Sequence, residues 1–272
     1  MTAVELLRSG RPTEALAALK DQIRAEPAEA KHRVFLFQLL CVEGDWSRAL
    51  TQLNLSAEMD PAALAMVQTY REAIQCETLR CEVFAGARTP LVFGEPPGWL
   101  GLLLEALRLG ASGEAAASQE LRGRAFEAAE TVPAVVDDVA VDWIADADPR
   151  LGPVLEAIVN GRYFWIPFAN IRRIDLDPPE DLRDCVWMPA HFEWVNGGDV
   201  VGLIPTRYPG SESSDDEAIR LARKTEWNDV GAELFVGLGQ RTFATPDDEY
   251  PLMNVRRIVF HPEADDRNAA DG

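Results

Sequence analysis

The sequence predicts a multidomain α and α+β protein. A helical array fills residues 1–130, an α+β domain fills 131–262, and a disordered tail closes the chain over 263–272. Three observations predict this. Gly10 and Gly44, Ala15 and Ala49, Leu16 and Leu50, Leu19 and Leu53, and Pro27 and Pro61 all lie 34 positions apart. That is the period of a tetratricopeptide helix pair. After Pro133 the composition changes, and short β-branched and aromatic runs alternate with turn residues. The last stretch, with Asp265, Asp266 and Asn268, is too polar to bury a core.

The elements follow in order. Pro12 opens a helix in which Leu16, Leu19 and Ile23 share a face, and Pro27 marks its end. The next helix, about 28–43, is apolar almost all round (Val34, Phe35, Leu36, Phe37, Leu39, Leu40), so it is buried on more than one side. Gly44 breaks it. Asp45 caps a third helix with the stripe Trp46, Ala49, Leu50 and Leu53. Pro61 opens a long fourth helix carrying Val67, Tyr70, Ile74, Cys81 and Phe84. A Pro- and Gly-rich loop, Arg88–Gly98, separates these from a helix with Trp99, Leu103, Ala106 and Leu107 and an Ala-rich helix near 113–130. A third repeat would need Gly at 78 and Pro at 95, where Thr78 and Glu95 stand, so the array is two repeats plus divergent helices. Beyond Pro133, strands are expected at Val139–Ile144, Tyr163–Pro167, Ile171–Leu176, Ala190–Val195, Val200–Pro205, Gly239–Phe243 and Met253–Phe260. Asn196-Gly197-Gly198-Asp199 is a hairpin turn. Helices are expected at Gly152–Asn160 and Asp215–Lys224. The expected sheet is antiparallel, curved and partly barrel-like.

Composition excludes several classes. A formal charge of −19 opposes sequence-independent nucleic-acid binding, which needs a basic surface to displace phosphate counterions. Anionic membrane surfaces are disfavoured likewise. The first residues, MTAVELLRSG, lack the basic and apolar regions of a signal peptide. No apolar run reaches the roughly 18 residues of a spanning helix. Cys41, Cys76, Cys81 and Cys185 form no disulfide-like framework and read as free thiols in a cytoplasmic protein.

Signals of chemistry are sparse. His32, His191 and His261 are far apart and form no metal-ligand spacing. The acidic run Asp137, Asp138, Asp142, Asp146 and Asp148 fails the calcium-loop pattern, because Ala157 stands twelfth from Asp146. No phosphate loop, dinucleotide fingerprint or nucleophile elbow occurs. No cofactor or metal is expected. Arg207, Tyr208, Glu226 and Arg241 make a candidate polar patch, either recognising a peptide or carboxylate through arginine or satisfying loop carbonyls. A hydrolase or transferase around Arg207, Glu226 and Arg241 is the alternative function.

Several runs in order carry a family resemblance. They are DWIADAD at Asp142–Asp148, RLGPVLE at Arg150–Glu156, NGRYFWIP at Asn160–Pro167 and LRDCVW at Leu182–Trp187. IPTRYPGS at Ile204–Ser211, RLARKTEW at Arg220–Trp227 and GLGQR at Gly237–Arg241 continue them. Together they resemble the ImpE family, also called TagJ or SciE. The resemblance implies a cytoplasmic, non-enzymatic accessory protein of the bacterial type VI secretion system. It also implies a partner, the amino-terminal helix of the small contractile-sheath subunit, and an influence on sheath handling by the ClpV ATPase. It supplies no binding residue. The helix pairs independently suggest a groove for an amphipathic helix, and the acid excess would steer a ligand with basic flanks. Phe37, Tyr70, Ile74 and Trp99 are the candidate partner contacts, with burial in the core as the competing reading.

Overall fold

The computed structural model describes residues 1–261; the tail expected over 263–272 lies outside them. The front half is built from α1 (Ala3–Arg8), α2 (Pro12–Ala25), α3 (Ala30–Val42), α4 (Trp46–Met59), α5 (Leu64–Phe84), α6 (Gly98–Ala111) and α7 (Ala115–Ala128). The 34-residue offset has a physical basis. Gly10 and Gly44 follow α1 and α3 with φ of +81° and +71°, a left-handed turn that glycine adopts without a Cβ clash. Ala15 and Leu19 in α2, and Ala49 and Leu53 in α4, are all fully buried. Asp45 caps α4 by accepting from the Arg48 amide, as its position predicted. Asp60 and Pro61 start a short 3-10 turn that runs into α5.

The second half holds β2 (Ala134–Val136), β3 (Val139–Val141), β4 (Ala145–Asp146), β5 (Val154–Val159), β6 (Arg162–Pro167), β7 (Ile171–Asp175), β8 (Trp187–Trp194) and β9 (Asp199–Pro205). The short helix α8 (Glu217–Arg220) precedes β10 (Thr225–Asp229), β11 (Phe235–Gly239), β12 (Thr242–Ala244), β13 (Glu249–Pro251) and β14 (Arg257–Phe260). The earlier loop contributes one more strand, β1 (Leu91–Val92), which pairs parallel with β6 through Leu91 and Phe164. The principal sheet has the order β1-β6-β5-β9-β8-β7-β14-β2-β3, antiparallel apart from β1. Its two edges do not meet, so the sheet is open rather than a closed barrel. β4, β12 and β13 form a small second sheet, and β10 and β11 a separate hairpin.

One expected helix is corrected. Gly152–Asn160 is not helical: Val154–Val159 is the strand β5, with all six residues buried. Burial on both faces removed the alternation that marks a strand. Asn160 and Gly161, both at positive φ, then turn the chain directly into β6. The expected strand Gly239–Phe243 is also split, its ends belonging to β11 and β12.

The sheet buries both faces. Val154, Ile158, Tyr163, Trp165, Trp187 and Leu203 share one core with α1–α6. Leu155, Ala157, Ile166, Met188, Phe192 and Ile204 point the other way, into a core closed by Phe168, Phe243 and Phe260. Alternation along β5 sets the direction of its single charged side chain: Glu156 lies between Val154 and Ile158 and so faces the helices.

Candidate functional site

The most unusual chemistry lies where α5 crosses the sheet. Glu77 and Arg80 stand one helical turn apart on the buried face of α5. Arg80 Nε and Nη2 donate to the two oxygens of Glu156 at 2.7 and 3.1 Å, a bidentate pair. Its Nη2 also reaches the Arg207 carbonyl at 2.7 Å. From the other side, Arg241 donates to Glu156 and to Asp146, and its Nε donates to the Pro205 carbonyl at 2.9 Å. Tyr163 OH donates to Glu156 at 2.5 Å and accepts from the Trp165 indole at 2.8 Å. The Trp187 indole donates to Glu77 at 2.8 Å. Tyr208 OH donates to Asp146 at 3.0 Å and accepts from the Thr242 amide at 3.0 Å.

Every carboxylate of this network is engaged by a guanidinium, a ring N–H or O–H, or a backbone amide. Burial would raise the Glu156 pKa, but Arg80 and Arg241 together pull it down to about 2. Burial pushes Asp146 up to about 6, outweighing the attraction of Arg241. The signs of the two effects on stability are opposite. The Glu156 contribution is complete above its ordinary value of 4.5 and is lost as pH falls toward 2. Asp146 holds its proton more tightly folded than unfolded, so stability declines as pH rises from its ordinary 3.8 through 6. The two opposed slopes cancel between the ordinary values 3.8 and 4.5, so the junction favours acidic conditions. Urea midpoints measured against pH should show both limbs. Glu156→Gln should remove the acid limb, and an acid limb of unchanged size in that variant would contradict the assignment.

The predicted polar patch is partly assembled. Arg207, Tyr208 and Arg241 are all buried, and the Arg241 guanidinium lies 5.4 Å from the Tyr208 ring centre. Arg207 caps α3: its Nη1 and Nη2 donate to the Val42 and Cys41 carbonyls at 2.8 and 3.1 Å. A cation there satisfies carbonyls left open at a helix end and complements its dipole. Glu226 stands apart, exposed on β10, with its carboxylate on Lys224 at 2.6 Å. It therefore does not join Arg207 and Arg241 in one site.

The candidate partner contacts are placed in the core. Phe37, Tyr70, Ile74 and Trp99 are each at most 9% exposed. Phe37 packs on Tyr70 at 5.8 Å, and Tyr70 on Trp187 at 5.8 Å. The faces of α3, α5 and α6 that these residues occupy are buried in the core shared with the protein's own sheet, so they offer nothing to a partner here. α2 and α4 keep an outer surface, with Ala17 and Thr51 exposed.

Sequence reasoning missed Glu77, Arg80, Asp146 and Glu156 as one network. A usable signal was present: a single carboxylate inside the apolar run VLEAIV demands a buried cation. Among the described residues no three His, Cys, Asp or Glu side chains are placed to hold a metal ion. No helix among them is long and apolar enough to cross a membrane.

This build is a tetratricopeptide-like array fused to an α+β sheet through a buried ionic junction. Residues 138–259 match the family described as ImpE protein. The chain is 50% identical over 262 residues to the type VI secretion system accessory component TagJ of Pseudomonas aeruginosa, covering 96% of this chain and 92% of that one. It is also similar to the crystal structure of protein VPA1032 from Vibrio parahaemolyticus. That likeness has a TM-score of 0.87 and 26% identity, and covers 97% of this chain and 98% of the other. The chain belongs to the ImpE family, the family of that type VI secretion accessory component.

Proposed function

We propose that this protein is a non-catalytic, cytoplasmic accessory component of a type VI secretion system. It binds the amino-terminal helix of the small sheath subunit and so modulates sheath assembly or ClpV-dependent disassembly. The name of the Pseudomonas relative supports the accessory role. One observation carries the binding reading: the ionisable groups that could do chemistry are spent on fixing the array to the sheet, while α2 and α4 keep a free outer surface. A rigidly held helical array presents that surface at little ordering cost. The charge of −19 favours a helix with basic flanks.

The test is a titration of the full chain with the sheath subunit's amino-terminal segment as a labelled peptide. Saturable binding is expected, weakened about tenfold or more by the paired surface changes Ala17→Arg and Thr51→Arg. Both positions are exposed, so the fold should survive. Deleting residues 1–130 is a poorer test, because it would uncover Trp165, Trp187, Glu156 and Arg241. Peptide binding indifferent to the paired change would move the site off α2 and α4.

A further inference from the structure

We propose that the cavity between α6, α7 and the β10–β11 hairpin binds a small aliphatic carboxylate, with Arg122 as its anion receptor. The site is independent of the sheath-binding reading. The cavity has a volume of about 290 Å³, and its apolar walls include Phe84, Leu103, Leu107, Leu234 and Val236. Arg122 also lines it. Ser118, Arg122 and Ala125 share the buried face of α7, which directs the arginine inward.

Arg122 is 8% exposed, yet it has one hydrogen bond: Nη2 to the Ala232 carbonyl at 3.5 Å, the far limit of such a contact. Its Nε and Nη1 have no protein partner among the described residues. The other deeply buried arginines differ. Arg80 and Arg241 each hold carboxylates, and Arg207 holds the carbonyls of α3. These unpaired donors keep access to solvent instead of being sealed in the core, and Arg122 lines the cavity, so they are available to an outside partner. Burial lowers the Arg122 pKa, and Asp148 opposes it only at a distance. Asp148 is already committed, accepting from Arg150 Nε at 2.9 Å and from the Gly237 amide at 3.0 Å. No internal anion is left for Arg122.

A carboxylate matches the planar fork of a guanidinium and would occupy its free donors. The apolar walls then receive an aliphatic tail. The volume lies at the small end of the ~300–1,000 Å³ range of ligand sites, which suits one short chain rather than a nucleotide. Arg150, neutralised by its pairing with Asp148, closes one wall, its guanidinium 5.0 Å from the Phe84 ring centre.

Hexanoate is the probe, with hexanamide as its neutral counterpart, each titrated calorimetrically into the full chain. Hexanoate should bind saturably, and at least about tenfold more tightly than hexanamide, the effect of losing one charge-assisted pair. Arg122→Gln should weaken hexanoate by a similar factor, and Arg122→Lys should restore part of it. Should Arg122→Gln fail to fold, Leu107→Trp decides, since it fills the cavity and leaves the arginine in place. Loss of binding in that variant supports the site. Equal binding of acid and amide, no hexanoate binding at millimolar concentration, or unchanged binding in Leu107→Trp overturns it.

Discussion

Replacing Glu156 with alanine is expected to lower the unfolding free energy by about 3–5 kcal/mol, the usual result of removing one partner from a buried ion pair. The expected loss is large because two cations lose their acceptor together. Arg80 would keep Glu77 at 3.3 Å and the Arg207 carbonyl, and Arg241 would keep Asp146 and the Pro205 carbonyl. Neither set replaces the bidentate contact, and both guanidinium groups stay buried. Against a total margin of about 5–15 kcal/mol, such a loss threatens folding at growth temperature. Glu156→Gln should fall between the two, since it keeps the shape and loses the charge. Trp165 and Trp187 lie at the junction, so tryptophan fluorescence during urea unfolding reports on it directly. A loss below about 1 kcal/mol for Glu156→Ala would mean that the arginines are satisfied without it.

Trp187→Ala should cost about 3–5 kcal/mol by a different route, through a cavity at the same junction. Trp187 is fully buried on β8, with ring centres of Trp46 and Tyr70 at 5.7 and 5.8 Å. Its indole also donates to Glu77, so truncation leaves a buried acceptor short of a donor. The wild-type chain should unfold in one transition, because one core runs from the helices into the sheet. The variant should unfold in two, as the array loosens from the sheet before either part melts. A single transition with an unchanged midpoint would show that Trp187 does not couple them.

Much of the fold was legible because its signals are local. Gly10, Gly44, Asp45 and Pro61 mark helix ends through backbone geometry and capping, which depend on few neighbours. The repeat itself could be read from identities at one offset. What could not be read depends on contacts far apart in sequence. β5 looked helical because strands buried on both faces carry no alternation. β1 has only two residues and is a strand because β6 lies beside it. Arg207 stood out in the sequence, yet its role as a cap on α3 depends on a contact 165 positions away. Phe37 and Tyr70 were legible as apolar stripes, while the sheet that covers them was not. Arg122 sits in an Ala-rich helix whose sequence gives no sign that the side chain is buried.

Hydrogen exchange of the full-length protein, with and without the sheath subunit's amino-terminal helix, tests the adaptor reading most directly. It predicts slower exchange in α2 and α4 on saturation, with α3 and α5 beneath the sheet unchanged. Protection confined to residues 131–261, or no change at saturating helix, would contradict it.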